Sequence, residues 1–219
     1  MVKTDRVNST IALKNVSKSF RKNKVLDNIS AEFEGGKIHG IIGHNGGGKT
    51  VLLKIICGLM AAEGGEIFIG GKRLKCGRGS DFNIGAIIEN PGFLPMQSGI
   101  KNLQYLASIR RKITFAEISA AMERVGLDPK EKKKVGSYSL GMRQRLGLAQ
   151  ATMENPDLLI LDEPMNGLDK AGVADMRKYL LDLKDQGKTI LIASHSSEDI
   201  DVLCDTVYEM DKGKLERIR

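Results

Sequence analysis

GHNGGGKT, residues 43–50, fits the pattern G-x-x-x-x-G-K-[ST], with Gly43, Gly48, Lys49 and Thr50 at the fixed positions. A loop of this kind must aim several backbone N–H groups at phosphate oxygens, and side chains would block the approach. Gly43, Gly46, Gly47 and Gly48 remove that obstacle and permit positive φ. His44 and Asn45 complete the loop. Lys49 is expected to bring a point charge to the β- and γ-phosphates, and the Thr50 hydroxyl to meet Mg²⁺. KIHGIIG (Lys37–Gly43) before the loop reads as a short buried strand. KTVLLKIICGL (Lys49–Leu59) after it reads as an apolar helix ending near Gly58. A chance glycine-rich turn would not need that strand–loop–helix order, whereas a phosphate loop at a helix N-terminus does.

Outward from this loop, the chain of 219 residues has room for one large domain. Its 41% hydrophobic and 28% charged residues place it among ordinary globular proteins. No stretch approaches the roughly 18 uncharged apolar residues of a membrane span, and MVKTDRVNST lacks the apolar core of a secretory signal. A cytosolic protein is expected, unless a partner holds it at a membrane. The net charge of +7 is read as surface lysine, because no aromatic–basic interleaving marks a nucleic-acid face. The densest basic run, KEKKK at 130–134, is expected to be solvated. Cys57, Cys76 and Cys204 match no zinc or CxxC spacing and fit a reducing compartment.

Ile11 and Leu13 share a strand face, and Val25–Phe33 reads as a second strand. Gly64–Leu74 reads as a hairpin, and Asn83–Ile88 as another strand. From about Asn102 to Asn155 the pattern is helical, with segments Leu103–Arg111, Phe115–Val125 and Leu140–Met153. Strand and helix then alternate: Leu158–Leu161, a helix carrying Val173, Met176, Leu180 and Leu183, Thr189–Ala193, Glu198–Leu203, and closing strands Thr206–Met210 and Lys214–Ile218. The expectation is an α/β core interrupted by a helical insertion.

LLILDEP, residues 158–164, is a buried strand that delivers two acids to its C-terminal edge, where ligands of open α/β sheets bind. Asp162 is placed to hold Mg²⁺, usually through water, and Glu163 to polarise the water that attacks the γ-phosphate. A strand that merely ends in solvent is the alternative. His195 follows the strand TILIA at 189–193. If that strand lies parallel to the one ending at Asp162, the imidazole reaches the same edge and can orient Glu163; otherwise it is structural.

These residues resemble the ATP-binding cassette (ABC) ATPases over essentially the whole chain. Leu158–Glu163 looks like the family's Walker B strand, Asn166-Gly167-Leu168-Asp169 like its D-loop, and His195 like its switch histidine. Phe20 stands where the family stacks an aromatic on adenine, although it would equally suit a core. YSLGMRQRLGLA, Tyr138–Ala149, looks like a variant signature element. It keeps Ser139 and Gly141, while Leu140 and Met142 replace a glycine and a glutamine. Ser139 is an N-cap candidate in any case. The resemblance implies a P-loop NTPase fold: a RecA-like core with an N-terminal antiparallel β subdomain and an inserted α-helical subdomain. It divides the single domain 1–219 into a core, 1–90 and 156–219, and a helical part, 91–155. It also implies a head-to-tail dimer, identical or mixed, in which Ser139, Gly141 and Met142 meet the ATP held by the opposite subunit.

Two departures stand out. Val51 replaces a serine or threonine and offers ATP only its backbone N–H. Glu89, in IIENPGFLP, replaces a glutamine and could bind the metal directly. The ENPGF–LP run and SLGMRQR are similar to subunits of bacitracin and lantibiotic-immunity exporters. The implied protein is a cytoplasmic ATPase, peripheral on the membrane face, using ATP and Mg²⁺ and serving a separate ABC-2-type permease, with no nucleic acid involved. The alternative is a soluble ABC ATPase of an assembly scaffold, as in iron–sulfur cluster biogenesis.

Overall fold

The apolar runs of the chain become strands of two sheets, described over residues 10–76, 82–89 and 91–219 of a computed structural model. The first nine residues and Asn90 of the ENPGF run lie outside the described residues. The first sheet is antiparallel, in the order β2 (Asn23–Phe33), β1 (Ile11–Phe20), β4 (Gly64–Ile69), β5 (Lys72–Arg73). The second runs β10 (Lys214–Arg217), β9 (Thr206–Asp211), β3 (Ile38–Ile42), β8 (Thr189–Ala193), β7 (Leu158–Asp162), β6 (Ile84–Ile87). Its five strands from β9 to β6 are parallel, and only β10 is antiparallel to its neighbour.

Every residue of β7 and β8 is buried, because both faces of the parallel sheet are covered. Leu158, Ile160 and Leu191 join the cluster formed with the antiparallel sheet and α1 (Lys49–Ile56). Leu159, Leu161, Ile190 and Ile192 join the opposite cluster, which includes α2 (Gly99–Arg110), α3 (Phe115–Arg124), α4 (Leu140–Thr152) and α5 (Lys170–Asp185). The short α6 (Ser197–Leu203) contributes Leu203 to the second cluster. Helices α2, α3 and α4 fall between β6 and β7 in sequence, so the helical insertion is present as expected.

Helix starts follow capping chemistry. Thr114 and Glu117 form a reciprocal capping box on α3. Ser139, Asp169 and Ser196 accept from the third residue beyond themselves and cap α4, α5 and α6. The structure also moves some expected boundaries. β1 runs on to Phe20, and a register shift between Leu13 and Val16, with Asn15 at φ 52°, breaks the alternation that would have shown it. α2 begins at Gly99 rather than Leu103, because buried Asn102 bonds the backbone of Leu94 and Ser98 and holds the first turn. α1 stops at Ile56, with Gly58 at φ 71° turning the chain. A 3₁₀ turn at Val135–Ser137 had no sequence signal. Among the described residues no helix is long and apolar enough to cross a membrane.

Candidate functional site

The site is built at one edge of the parallel sheet. β3 runs into the glycine loop, which opens α1 at Lys49. Gly43 has φ 143°, and a Cβ there would overlap the carbonyl oxygen of Met210. Gly48 has φ 106°, and its Cβ would come 2.9 Å from the Val25 carbonyl oxygen. The loop therefore passes where only glycine fits, and at the end of the run Gly48 occupies the N-cap of α1. Lys49 is buried, and its ammonium donates to the carbonyls of Gly43 at 2.6 Å and His44 at 3.1 Å. The loop thus curls around its own lysine charge, at a helix end whose free N–H groups favour anions.

Thr50 Oγ1 donates to Asp162 Oδ2 at 2.7 Å. Neighbouring ligands in an octahedron with metal–oxygen bonds of about 2.1 Å stand about 3 Å apart. The spacing of these two oxygens fits two adjacent positions around Mg²⁺. Among the described residues no group of three or more His, Cys, Asp or Glu is arranged to hold a metal ion. Burial pushes the Asp162 carboxyl above its ordinary value. The Thr50 hydroxyl and the Lys49 charge pull it down, and the negative charges of Glu163 and Glu89 push it up.

Parallel pairing of β7 with β8, Asp162 opposite Ala193, carries the two acids and His195 to the same edge. His195 Nδ1 donates to Glu163 Oε2 at 2.8 Å. Glu163 adopts φ 50°, an uncommon conformation for a residue with a side chain. Its N–H donates to Ala193 O at 2.9 Å, and its carbonyl accepts from Asn166 N at 3.1 Å and Gln144 Nε2 at 3.2 Å. Three elements therefore over-determine the turn that aims this carboxylate into the cleft.

Phe20 is 44% exposed and lies in the wall of a cavity of about 530 Å³ shared with His44, Lys49, Thr50, Asp162 and Glu163. Asn45, Gly46, Gly48, Val51 and Glu89 line the same cavity. The ring is thus not part of the core, and the Lys18 ammonium lies 5.4 Å from its centroid. Gly47 lies in the loop, its N–H donating to His44 O at 3.1 Å. Ser139, exposed at the start of α4, accepts from the Met142 N–H at 3.1 Å, so that amide is committed to the cap. Gly141 sits in the first turn against Gly167 of the Asn166–Asp169 loop. Leu140 and Gln144 of this helix reach the cavity wall.

Glu89, expected as a direct metal ligand, is engaged through one oxygen in this structure. Its Oε1 accepts from Lys54 Nζ at 2.7 Å, so the structure engages it with α1 rather than with the Thr50–Asp162 pair. Sequence reasoning also passed over Lys54 and Arg177. Arg177 on α5 holds Asp199 at 2.6 Å and Glu198 at 2.8 Å, tying α5 to the helix that follows His195. These pairings are remote in sequence and carry no spacing pattern that would reveal them.

The ABC transporter family model matches residues 26–166. The chain is 44% identical over 206 residues to the ABC transporter ATP-binding protein YybJ of Bacillus subtilis (strain 168), covering 94% of each. It is 38% identical to the bacitracin transport ATP-binding protein BcrA of Enterococcus faecalis, over 94% of this chain and 67% of that protein. The dimeric structure of MJ0796, a bacterial ABC transporter cassette, superposes with a TM-score of 0.85 at 21% identity, over 95% of this chain and 99% of that one, which speaks for the fold. A phosphate loop, an acid-ended strand and a matched family model make the chain a member of the ABC transporter family, an ATP-binding, ATP-hydrolysing subunit.

Proposed function

We propose that this ATPase drives an exporter of an antimicrobial peptide or antibiotic through a separate ABC-2-type membrane subunit, from the cytoplasmic face of the membrane. The observation that carries the catalytic part is the meeting of two pairs at one sheet edge: Thr50 with Asp162 at 2.7 Å, and Glu163 with His195 at 2.8 Å. The export assignment is supported by the likeness to a bacitracin transport ATP-binding protein.

The amides of the Gly43–Gly48 loop and the Lys49 ammonium bind the triphosphate, and Phe20 stacks on the base. Thr50 and Asp162 would hold Mg²⁺, which would neutralise charge on the phosphates. Glu163 accepts a hydrogen bond from the attacking water, in line with the γ-phosphorus. His195 keeps that carboxylate oriented through Nδ1. Ser139 and Gly141, exposed or half-exposed at the start of a helix, supply the γ-phosphate of a second copy or of a related cassette with a hydroxyl and an N–H. Two cassettes therefore close on ATP and part after hydrolysis.

The helical part, read as residues 91–155, docks on the permease. Leu94, Met96, Tyr105 and Ile109 are all more than half exposed there, more apolar surface than a solvated face requires. The test is Glu163→Gln with saturating ATP. It is expected to form a stable dimer with phosphate release slowed about a hundredfold or more. A monomeric protein with wild-type turnover would refute the mechanism. Co-expression with a separate membrane subunit that it serves should confer resistance to a peptide antibiotic, and resistance should vanish with Glu163→Gln.

A further inference from the structure

β6 and β7 pair in parallel with Ile87 opposite Leu161. Continuing that register sets Glu89 beside Glu163, and both residues leave their strands with left-handed backbone, φ 59° and 50°. Three carboxylates thus gather at one sheet edge: Glu89, Asp162 and Glu163. A triphosphate must enter this same cavity, and each uncompensated acid opposes it.

Helix α1 supplies the compensation. Thr50 and Lys54 are four residues apart on α1 and so lie one above the other on the same face. Thr50 reaches the acid that ends β7, at 2.7 Å, and Lys54 reaches the acid that follows β6, also at 2.7 Å. The two bonds form successive rungs between one helix face and two neighbouring strand ends. Lys54 also stands in the last turn of α1, where the helix dipole favours a cation. Its side chain is 26% exposed, and that of Glu89, which lines the cavity, is 62% exposed.

We propose that Lys54 is a positioning residue of the nucleotide site: it holds the Glu89 carboxylate away from the Thr50–Asp162 pair and offsets its charge, which lets this cassette carry an acid in the cavity lining without repelling ATP. The inference rests on the nucleotide-binding reading of the cavity. Losing Lys54 releases Glu89 to do two things of opposite sign. It repels metal-free ATP, and it becomes available to Mg²⁺ beside Asp162.

The experiment is a double-mutant cycle on the full chain, comparing wild type, Lys54→Met, Glu89→Gln and the double variant, with Lys54→Arg as the conservative control. Calorimetry measures ATP binding in EDTA, and a magnesium titration of ATP binding gives the half-saturating metal concentration. Lys54→Met is expected to weaken metal-free ATP binding about fivefold and to lower the half-saturating magnesium about threefold. Both effects are expected to shrink to within about twofold when residue 89 is Gln, and Lys54→Arg to stay near wild type. Equal Lys54→Met effects in both backgrounds, or none in either, would overturn the inference while ATP binding stands. A wild-type chain that binds no ATP would overturn the nucleotide site itself and this inference with it. Thermal melts of each variant identify one that fails to fold. In that event an unperturbed Lys54→Arg with a fivefold loss of ATP binding would equally contradict the proposal.

Discussion

Replacing His195 by alanine separates catalysis from stability, because this side chain does little for the fold and much for the site. The imidazole side chain is 71% exposed and makes one hydrogen bond, to a Glu163 side chain that is itself 26% exposed. An exposed contact of this kind contributes less than about 1 kcal/mol to folding. For a chain of this size 1 kcal/mol moves Tm by about 2–4 °C, so His195→Ala should melt within about 4 °C of wild type. The chemical step should suffer far more. Without Nδ1 the Glu163 carboxylate is free to rotate away from the attacking water. Loss of an acid–base arrangement costs about 10²–10⁴ in rate, or about 3–5 kcal/mol on the barrier. The assay is phosphate release at saturating ATP and Mg²⁺, beside a thermal melt and an ATP titration of the same sample. ATP affinity should stay within about threefold, since Lys49 and the loop amides are untouched. A turnover number within threefold of wild type would refute the role given to His195. A fall in Tm beyond about 8 °C would show that the residue supports the fold instead.

Asp162→Asn should leave thermal stability at pH 7 equal to or above wild type while Mg²⁺-dependent hydrolysis disappears. Burial raises this carboxyl in the folded chain, so the folded state holds its proton to higher pH than the unfolded state. The stability this gives at low pH is lost as pH rises through the raised folded value. The advantage of Asn should therefore shrink toward pH 4, and a clear loss of stability at pH 7 would contradict it. Gly85→Ala should destabilise by about 1–3 kcal/mol in urea, because a Cβ on β6 would overlap the Ala151 carbonyl of α4. A change below about 0.5 kcal/mol would mean that the strand and helix separate easily. Phe20→Ala should weaken ATP about fivefold, the equivalent of about 1 kcal/mol of stacking, without changing affinity for inorganic tripolyphosphate. Equal losses for both ligands would place Phe20 elsewhere in the energetics.

Much of this was legible because it rests on local chemistry. The run Leu158–Leu161 is uninterrupted apolar sequence, which a strand buried on both faces requires, and β7 is buried throughout. The adjacency of Glu163 and His195 followed from one topological supposition, that the strands ending at Asp162 and Ala193 are parallel neighbours, and they are. Ser139 was readable as a cap because a serine before a helical run has few better uses. The parts that stayed hidden depend on tertiary placement. The left-handed turns at Glu89 and Glu163 fall on residues that carry no glycine signal, and at Glu163 surrounding bonds impose the turn. The far half of β1 was masked by irregular pairing around Asn15 and Ser17. The partner of Glu89 lies on α1, across the site and far back in the sequence, so nothing near ENPGF pointed to Lys54.

Titration calorimetry of the purified chain with ATP and Mg²⁺, run beside Lys49→Ala, tests the central claim most directly. Lys49 is the cation gripped by the loop carbonyls of Gly43 and His44. The account predicts a saturable heat for one ATP per chain and at least a tenfold weaker interaction, about 1.4 kcal/mol or more, after the substitution. No saturable heat from the unaltered chain, or equal affinity in both proteins, would contradict it.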